Sequence, residues 1–233
     1  MDKIAQASGT IEVILGAVLS ILITIWVEYL RKPKLGFQKI NTNNIDYSHL
    51  PEKRPANTAR FLSVVVENKP LSRLVRWLSR NAALQCHAEI TFYHLDGQDV
   101  FGRGMTARWS GPAEPVPTLQ MSGDRNQIFI SNLGSNISTT RKDIYPGEGA
   151  SLDIAARFDQ DDECFGWNDE AYFSNPTWRN PKWKLLPGRY LVKVELTSAG
   201  DKATNYYRII NDTDITSFRL EQAHEEDVKK IVG

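Results

Sequence analysis

Between Glu12 and Glu28 no residue is charged, and the apolar stretch Ile11–Leu30 around that core matches the width of a bilayer. Crossing the hydrocarbon layer takes about 20 helical residues at roughly 1.5 Å of rise each. An apolar run this near the start of a sequence has three readings. A cleaved leader calls for a basic start and a small-residue cleavage site, yet this run exits through Trp26, Val27, Glu28, Tyr29, Leu30, Arg31 and Lys32. A core helix that is apolar on every side needs a large protein around it. A retained membrane helix over 11–30 is therefore expected, with 1–10 as a short tail and 31–34 as a basic juxtamembrane linker.

The flanks set an orientation. Lys3 precedes the run, whereas Arg31, Lys32, Lys34 and Lys39 follow it. The positive-inside bias places the larger, C-terminal part in the cytoplasm, and Trp26 and Tyr29 fall where an interfacial aromatic belt would put them. Arg31, Lys32 and Lys34 thus become membrane-interface candidates. Along one helical face Gly16, Ser20 and Thr24 repeat a small-xxx-small spacing that lets helix backbones approach, a candidate homo-oligomer contact. The competing reading is that such residues are frequent in membrane helices and line nothing.

After the anchor about 200 residues remain, enough for one domain. With 28 basic and 28 acidic residues the net charge is zero, so bulk electrostatics offers no case for nucleic acid. The two cysteines, Cys86 and Cys164, form no metal-binding or redox spacing. Cys86 falls in a strand pattern and reads as a small buried apolar residue. Sequence leaves open whether the two pair, and a cytoplasmic domain disfavours the bond. Asn136 and Asn211 head Asn-x-Ser/Thr triplets, which carry no meaning in that compartment.

Period-two alternation dominates from residue 35 onward. Cys86, Ala88, Ile90 and Phe92 are expected to share one face, as are Leu152, Ile154, Ala156 and Phe158, and Tyr190, Val192, Val194 and Leu196. Further runs lie at 35–40, 61–68, 100–109, 126–131, 204–211 and 216–221, with turn residues at Asp96-Gly97 and Gly200-Asp201. Seven to nine short strands imply a mainly β, antiparallel sandwich over 35–221, followed by a tail or short helix at 222–233.

The segment Leu186-Pro187-Gly188-Arg189-Tyr190-Leu191-Val192-Lys193-Val194 resembles the turn-then-strand entry of immunoglobulin-like folds. The resemblance covers about ten residues and implies a Tyr190 hydroxyl bonded back to the preceding corner. It bears on architecture and carries nothing about activity. No Cys…Trp…Cys framework accompanies it, which sets the chain apart from antibody domains.

Three segments invite functional readings. In Leu71–Arg80, helical spacing would put Leu71, Leu74, Val75 and Leu78 on one face, Arg73, Arg76 and Arg80 away from it, and Trp77 at the margin. That pattern suits a cationic interfacial helix touching membrane lipid, or else a connector packed over one end of the sheets. The long stretch 159–187 is rich in aromatics beside cations, and with Trp109 it nominates Trp109, Trp167, Trp178, Arg179 and Trp183 as a partner- or ligand-binding set. Its plainer reading is a satellite hydrophobic cluster that holds the loop on the sheet. Asp159, Asp161, Asp162 and Glu163 could gather around a hard cation, but the spacing of a calcium loop is missing and a solvated acidic turn explains them.

No nucleophile motif surrounds His49, His87, His94 or His224, and no glycine-rich phosphate loop is present. No catalytic residue, metal or cofactor is therefore nominated. The expectation is a single-pass, membrane-anchored interaction module, an adaptor or assembly subunit with a protein partner. Its alternatives are a ligand-gated effector whose sandwich binds a small nucleotide or sugar and, third, a membrane-tethered hydrolase.

Overall fold

The structure, a computed structural model, describes residues 2–46, 58–75, 77–110, 118–121, 128–131, 140–159, 161–174, 178–212 and 214–232. Helix α1 (Asp2–Arg31) is followed by strands β1 (Leu35–Asp46), β2 (Thr58–Asn68), β3 (Ala83–Tyr93), β4 (Met105–Thr106) and β5 (Arg108–Trp109). A hairpin of β6 (Thr118–Met121) and β7 (Ile128–Ser131) precedes β8 (Lys142–Ile144), β9 (Gly149–Phe158) and β10 (Cys164–Gly166). The one-turn helix α2 (Asp169–Tyr172) leads to β11 (Lys184–Leu185), β12 (Gly188–Thr197), β13 (Lys202–Asn211), β14 (Arg219–Gln222) and helix α3 (Glu225–Val232).

Helix α1 starts earlier than the expected boundary at Ile11, so the presumed tail 1–10 is helical from Asp2. Once the apolar span has nucleated a helix, extending it through residues such as Ala5, Gln6 and Ala7 costs little. Side chains from Ile14 to Trp26 are exposed, and no part of Ile14–Arg31 is buried against the domain. That removes the core-helix reading. Among the described residues, one helix, at the N-terminus, is long and apolar enough to span a membrane.

The remainder is mainly β and forms two antiparallel sheets. One runs β1-β2-β9-β10-β11, with β5 also beside β9; the other runs β14-β13-β12-β3-β4, with β8 also beside β3. Their inner faces meet in one apolar cluster. Leu62, Val64 and Val66 of β2 and Leu152 of β9 contribute from the first sheet; Ile90 and Phe92 of β3 and Val192 and Val194 of β12 contribute from the second. Trp109 joins the layers directly, its indole Nε1 donating to the Cys86 carbonyl at 3.2 Å. Cys86 and Cys164 are both buried, free thiols. Burial pushes the Cys86 thiol up to about 11 and raises that of Cys164 as well.

The expected shared face of Leu152, Ile154, Ala156 and Phe158 is broken by a bulge. Leu62 opposes Ala155 and Ser63 opposes Asp153, which leaves Ile154 as an extra residue in β9. A one-residue insertion reverses the alternation beyond it. Ala155 consequently joins the main cluster, while Ala156 and Phe158 turn to the outer face. There they build a second apolar cluster with Ala59, Phe61, Phe165, Trp167 and Ala171.

Helix α3 closes the second sheet. Asp227, in its first turn and nearly buried, pairs with Arg208 of β13 and with Lys230 at 3.2 Å. The helix also covers the Asp96-Gly97 turn: Gly97 has φ +92°, and a Cβ there would come within 2.3 Å of the Lys230 carbonyl oxygen. Desolvation works against the Asp227 carboxylate, but bonds and charge from Arg208 and Lys230 outweigh it and hold its pKa below 3.8. A carboxylate depressed in this way stabilises the fold above its unfolded value, and that contribution is lost as pH falls through its folded value. We therefore expect amide protection in α3 to drop ahead of the rest below about pH 4 in hydrogen exchange. Asp227→Asn should abolish this step and lower stability at neutral pH by about 2 kcal/mol, measured by denaturant unfolding.

Candidate functional site

The best-defined polar construction joins the end of α1 to the domain. Only Lys32, Pro33 and Lys34 separate α1 from β1, a reach of about 10 Å. Asn68, the last residue of β2, is completely buried and organises the junction. Its Oδ1 accepts from the Lys34 amide at 3.0 Å, and its Nδ2 donates to the carbonyls of Asn81 at 2.9 Å and Ile144 at 3.1 Å. Its own carbonyl accepts from Gly147 at 2.8 Å.

Around this amide the chain is laced to the helix exit. Asn81 N donates to the Arg31 carbonyl at 2.7 Å, Lys69 N donates to the Lys34 carbonyl at 2.8 Å, and Arg80 bonds the Lys32 carbonyl. Leu35 N donates to Asp201 Oδ2 at 2.6 Å, and the Pro33 ring lies against Gly200. Burial works against the Arg80 charge and the Asp201 carboxylate offsets part of it. This collar fixes how α1 leaves the domain.

The 70–80 loop has both ends pinned in the collar, through Lys69 and Asn81. Arg73–Val75 forms one 3-10 turn, which replaces the amphipathic helix expected over 71–80. A segment this short does not sustain a helix unaided, and long-range bonds to its ends set its path instead. Leu74 points into solvent at 91% exposure, Trp77 is 76% exposed, and Arg80 is turned inward to the Lys32 carbonyl. Arg73 is exposed; Arg76 lies outside the described residues. Arg31, Lys32 and Lys34 all sit in the collar, with Lys32 and Lys34 exposed.

On α1 itself, Gly16, Ser20 and Thr24 are exposed, and nothing lies within 4 Å of a Cβ built on Gly16. The Thr24 hydroxyl donates to the Ser20 carbonyl at 2.8 Å, so it is satisfied within its own helix.

The five residues nominated as a binding set are divided between two clusters. Trp109 and Trp183 belong to the main core; Trp183 donates to Glu170 Oε2 at 3.0 Å, meets Phe101 edge-on at 5.1 Å and lies beneath the Arg103 guanidinium. Trp167 is buried in the second cluster, against Phe61 at 5.0 Å and Trp178 at 6.0 Å. Trp178 sits at that cluster's margin with a left-handed backbone, φ +57°, stacked on Tyr172. Arg179 lies over Phe158 and pairs with Asp161 at 2.5 Å. The buried indoles thus present no open face, whereas Phe173, next to Tyr172, is exposed.

The acidic turn is ion-paired where a solvated one was expected. Asp161 meets Arg179, Glu163 meets Lys184 at 2.7 Å, and Asp162 approaches Arg157 at 3.9 Å. Among the described residues no group of three or more His, Cys, Asp or Glu is arranged to hold a metal ion. Asn211 is buried and gives its amide to the carbonyls of Asp162 and Leu186, so that side chain is structural; Asn136 and Thr213 lie outside the described residues.

Sequence reasoning missed Asn68. Its signal was present, since Leu62, Val64, Val66 and Asn68 share one register and place a polar amide on the buried face. No protein-family model, curated protein or solved structure matches this chain.

Removing the Asn68 side chain would leave the Asn81 and Ile144 carbonyls and the Lys34 amide without their partner. We expect Asn68→Ala to cost about 3 kcal/mol in denaturant unfolding of the full-length chain in detergent. Hydrogen exchange should accelerate first at the Lys34 and Asn81 amides.

Proposed function

We propose that the protein is a single-pass membrane-anchored interaction module, in which α1 spans the bilayer and the β domain is held against the cytoplasmic surface. The observation that carries this reading is the collar. An apolar helix with no residue buried over Ile14–Arg31 is joined to a folded domain by bonds to its exit, Arg31 and Lys32, and by an amide at the heart of the domain. Residues that the domain uses as structural parts are poorly suited to removal with a leader. The excess of Arg31, Lys32, Lys34 and Lys39 over Lys3 supports a cytoplasmic domain.

Within this proposal the domain is an immunoglobulin-like sandwich. Two features support it. The first is connectivity: β1-β2-β9 in one layer and β13-β12-β3 in the other follow the order of strands A-B-E and G-F-C. The second is the corner expected from the sequence, with the Tyr190 hydroxyl donating to the Leu186 carbonyl at 3.0 Å at the start of β12.

The module acts as an adaptor or assembly subunit. Its partner surface is the outer rim of the 159–187 segment, where exposed Phe173 adjoins half-buried Tyr172 and Trp178. A surface phenylalanine beside a rigid aromatic stack is suited to insertion into a partner's pocket. Two measurements test the proposal. In sealed vesicles, added protease should digest the domain only when the cytoplasmic side faces out; digestion from the opposite side overturns the orientation. Cross-linking in native membranes followed by detergent extraction should recover a discrete partner that Phe173→Glu loses, and recovery of no partner overturns the adaptor role.

A further inference from the structure

Large apolar side chains are exposed together at the end of the domain where α1 leaves. Leu74 and Trp77 occupy the pinned 70–80 loop, and each lies within roughly 20 Å of the Arg31–Lys34 backbone, given the few residues that separate it from Lys69 or Asn81. Tyr145, 56% exposed, follows Ile144, whose carbonyl accepts from Asn68. Leu84, 48% exposed, bonds through its carbonyl to Ala199, the neighbour of the Gly200 that packs on Pro33. Exposed Lys32, Lys34, Lys69 and Arg73 stand among them. At the far end of β3 and β12, by contrast, Leu95 and Leu186 are exposed with no collar near them.

We propose that this end of the domain is a second membrane contact: Leu74 and Trp77, flanked by Tyr145 and Leu84, sit in the headgroup layer of the bilayer that α1 crosses. The proposal rests on the anchored reading and adds to it what the domain itself touches. Three observations select lipid as the occupant. The loop cannot move away from the helix exit, because both of its ends are bonded to Arg31–Lys34. Trp and Tyr favour the boundary between headgroups and acyl chains, where an apolar ring and a polar edge are both accommodated. The neighbouring lysines and Arg73 match the anionic headgroups of a cytoplasmic leaflet. A domain touching the bilayer at α1 and at a loop beside it is fixed in tilt as well as in position.

The test uses the full-length chain in vesicles of phosphatidylcholine and phosphatidylserine. Cys86 and Cys164 are completely buried, so a thiol-reactive, environment-sensitive fluorophore reports only on an introduced cysteine. Four single variants are labelled: Leu74→Cys, Trp77→Cys, Leu95→Cys at the far end, and Leu19→Cys on α1. Blue-shifted emission at positions 74 and 77, quenched by a nitroxide on a shallow lipid position, is expected, with position 95 unaffected. Emission at 74 and 77 matching that at 95 overturns the proposal. So does a blue shift that lipid nitroxide fails to quench, or one that appears only at high protein-to-lipid ratio, since protein would then cover the loop. Position 19 reports the anchor separately: absence of quenching by a deep nitroxide there would remove the span itself, whatever the loop shows.

Discussion

One buried primary amide holds the architecture together. Asn68 is placed by the core, because it continues the inward register of Leu62, Val64 and Val66, yet the groups its side chain bonds lie at the ends of other segments. Those groups are the entry to β1, the return of the 70–80 loop and the end of β8. In a low-dielectric interior an unpaired carbonyl or amide costs more than a formed bond returns, so the three segments are confined to the geometry this side chain satisfies. Packing of the sheets therefore determines the direction in which α1 emerges. The same hydrophobic contacts that fold the domain also aim α1.

A second constraint is the extra residue at Ile154. Without it Phe158 would face inward and the outer face of the first sheet would be open near Phe61. With it, Phe158 and Phe61 form an apolar floor that has to be covered, and the 159–187 segment covers it. Trp167 and Trp178 land on that floor, while Arg179 lies over Phe158 with Asp161 as its counter-ion. Arg108 repeats the device over Tyr172 with Asp169 at 2.6 Å. Each guanidinium keeps a ring on one side and a carboxylate at its edge, which is how a cation is retained at a dry surface. The density of aromatics in this segment follows from roofing one face of a sheet.

Period-two alternation made β12, and β3 from Cys86 onward, legible residue by residue, because those stretches pair without interruption; the irregularity of β3 at Ala83–Cys86, where Gln85 has φ +53°, falls before the alternating run. It failed within β9, since a bulge reverses the facing of Ala156 and Phe158 through pairing with β2, information that no single strand contains. The apolar span and its basic exit were legible as composition. The collar was legible only as an oddity, a polar Asn68 on an apolar face, because its partners Asn81 and Ile144 are distant in sequence. In the 70–80 loop the helical spacing misled: Leu74 shares a notional face with Leu71 and Leu78 but points into solvent once Lys69 and Asn81 fix the loop's ends. The aromatic set was recognised as residues, and its division between two clusters was invisible, since Trp109 and Trp183 are drawn inward by the second sheet while Trp167 is drawn outward by the bulge.

For the membrane-anchored module proposed above, rigidity at the collar bears on what it can achieve. A long flexible tether would let the domain sample a hemisphere of positions and present any of its faces. Three residues bonded along their length remove that freedom, so whatever face is turned toward a partner is turned there permanently. The entropy of orienting the domain is then spent during folding, by bonds around Asn68, and does not have to be met again at each encounter. On the proposed membrane-anchored reading, a small aromatic contact at the rim of the 159–187 segment would be enough, because confinement to one membrane would raise the effective concentration of the two surfaces and a fixed tilt would make most encounters productive. Weak contacts that exchange readily suit an adaptor, and a stiff junction is what allows them to remain weak.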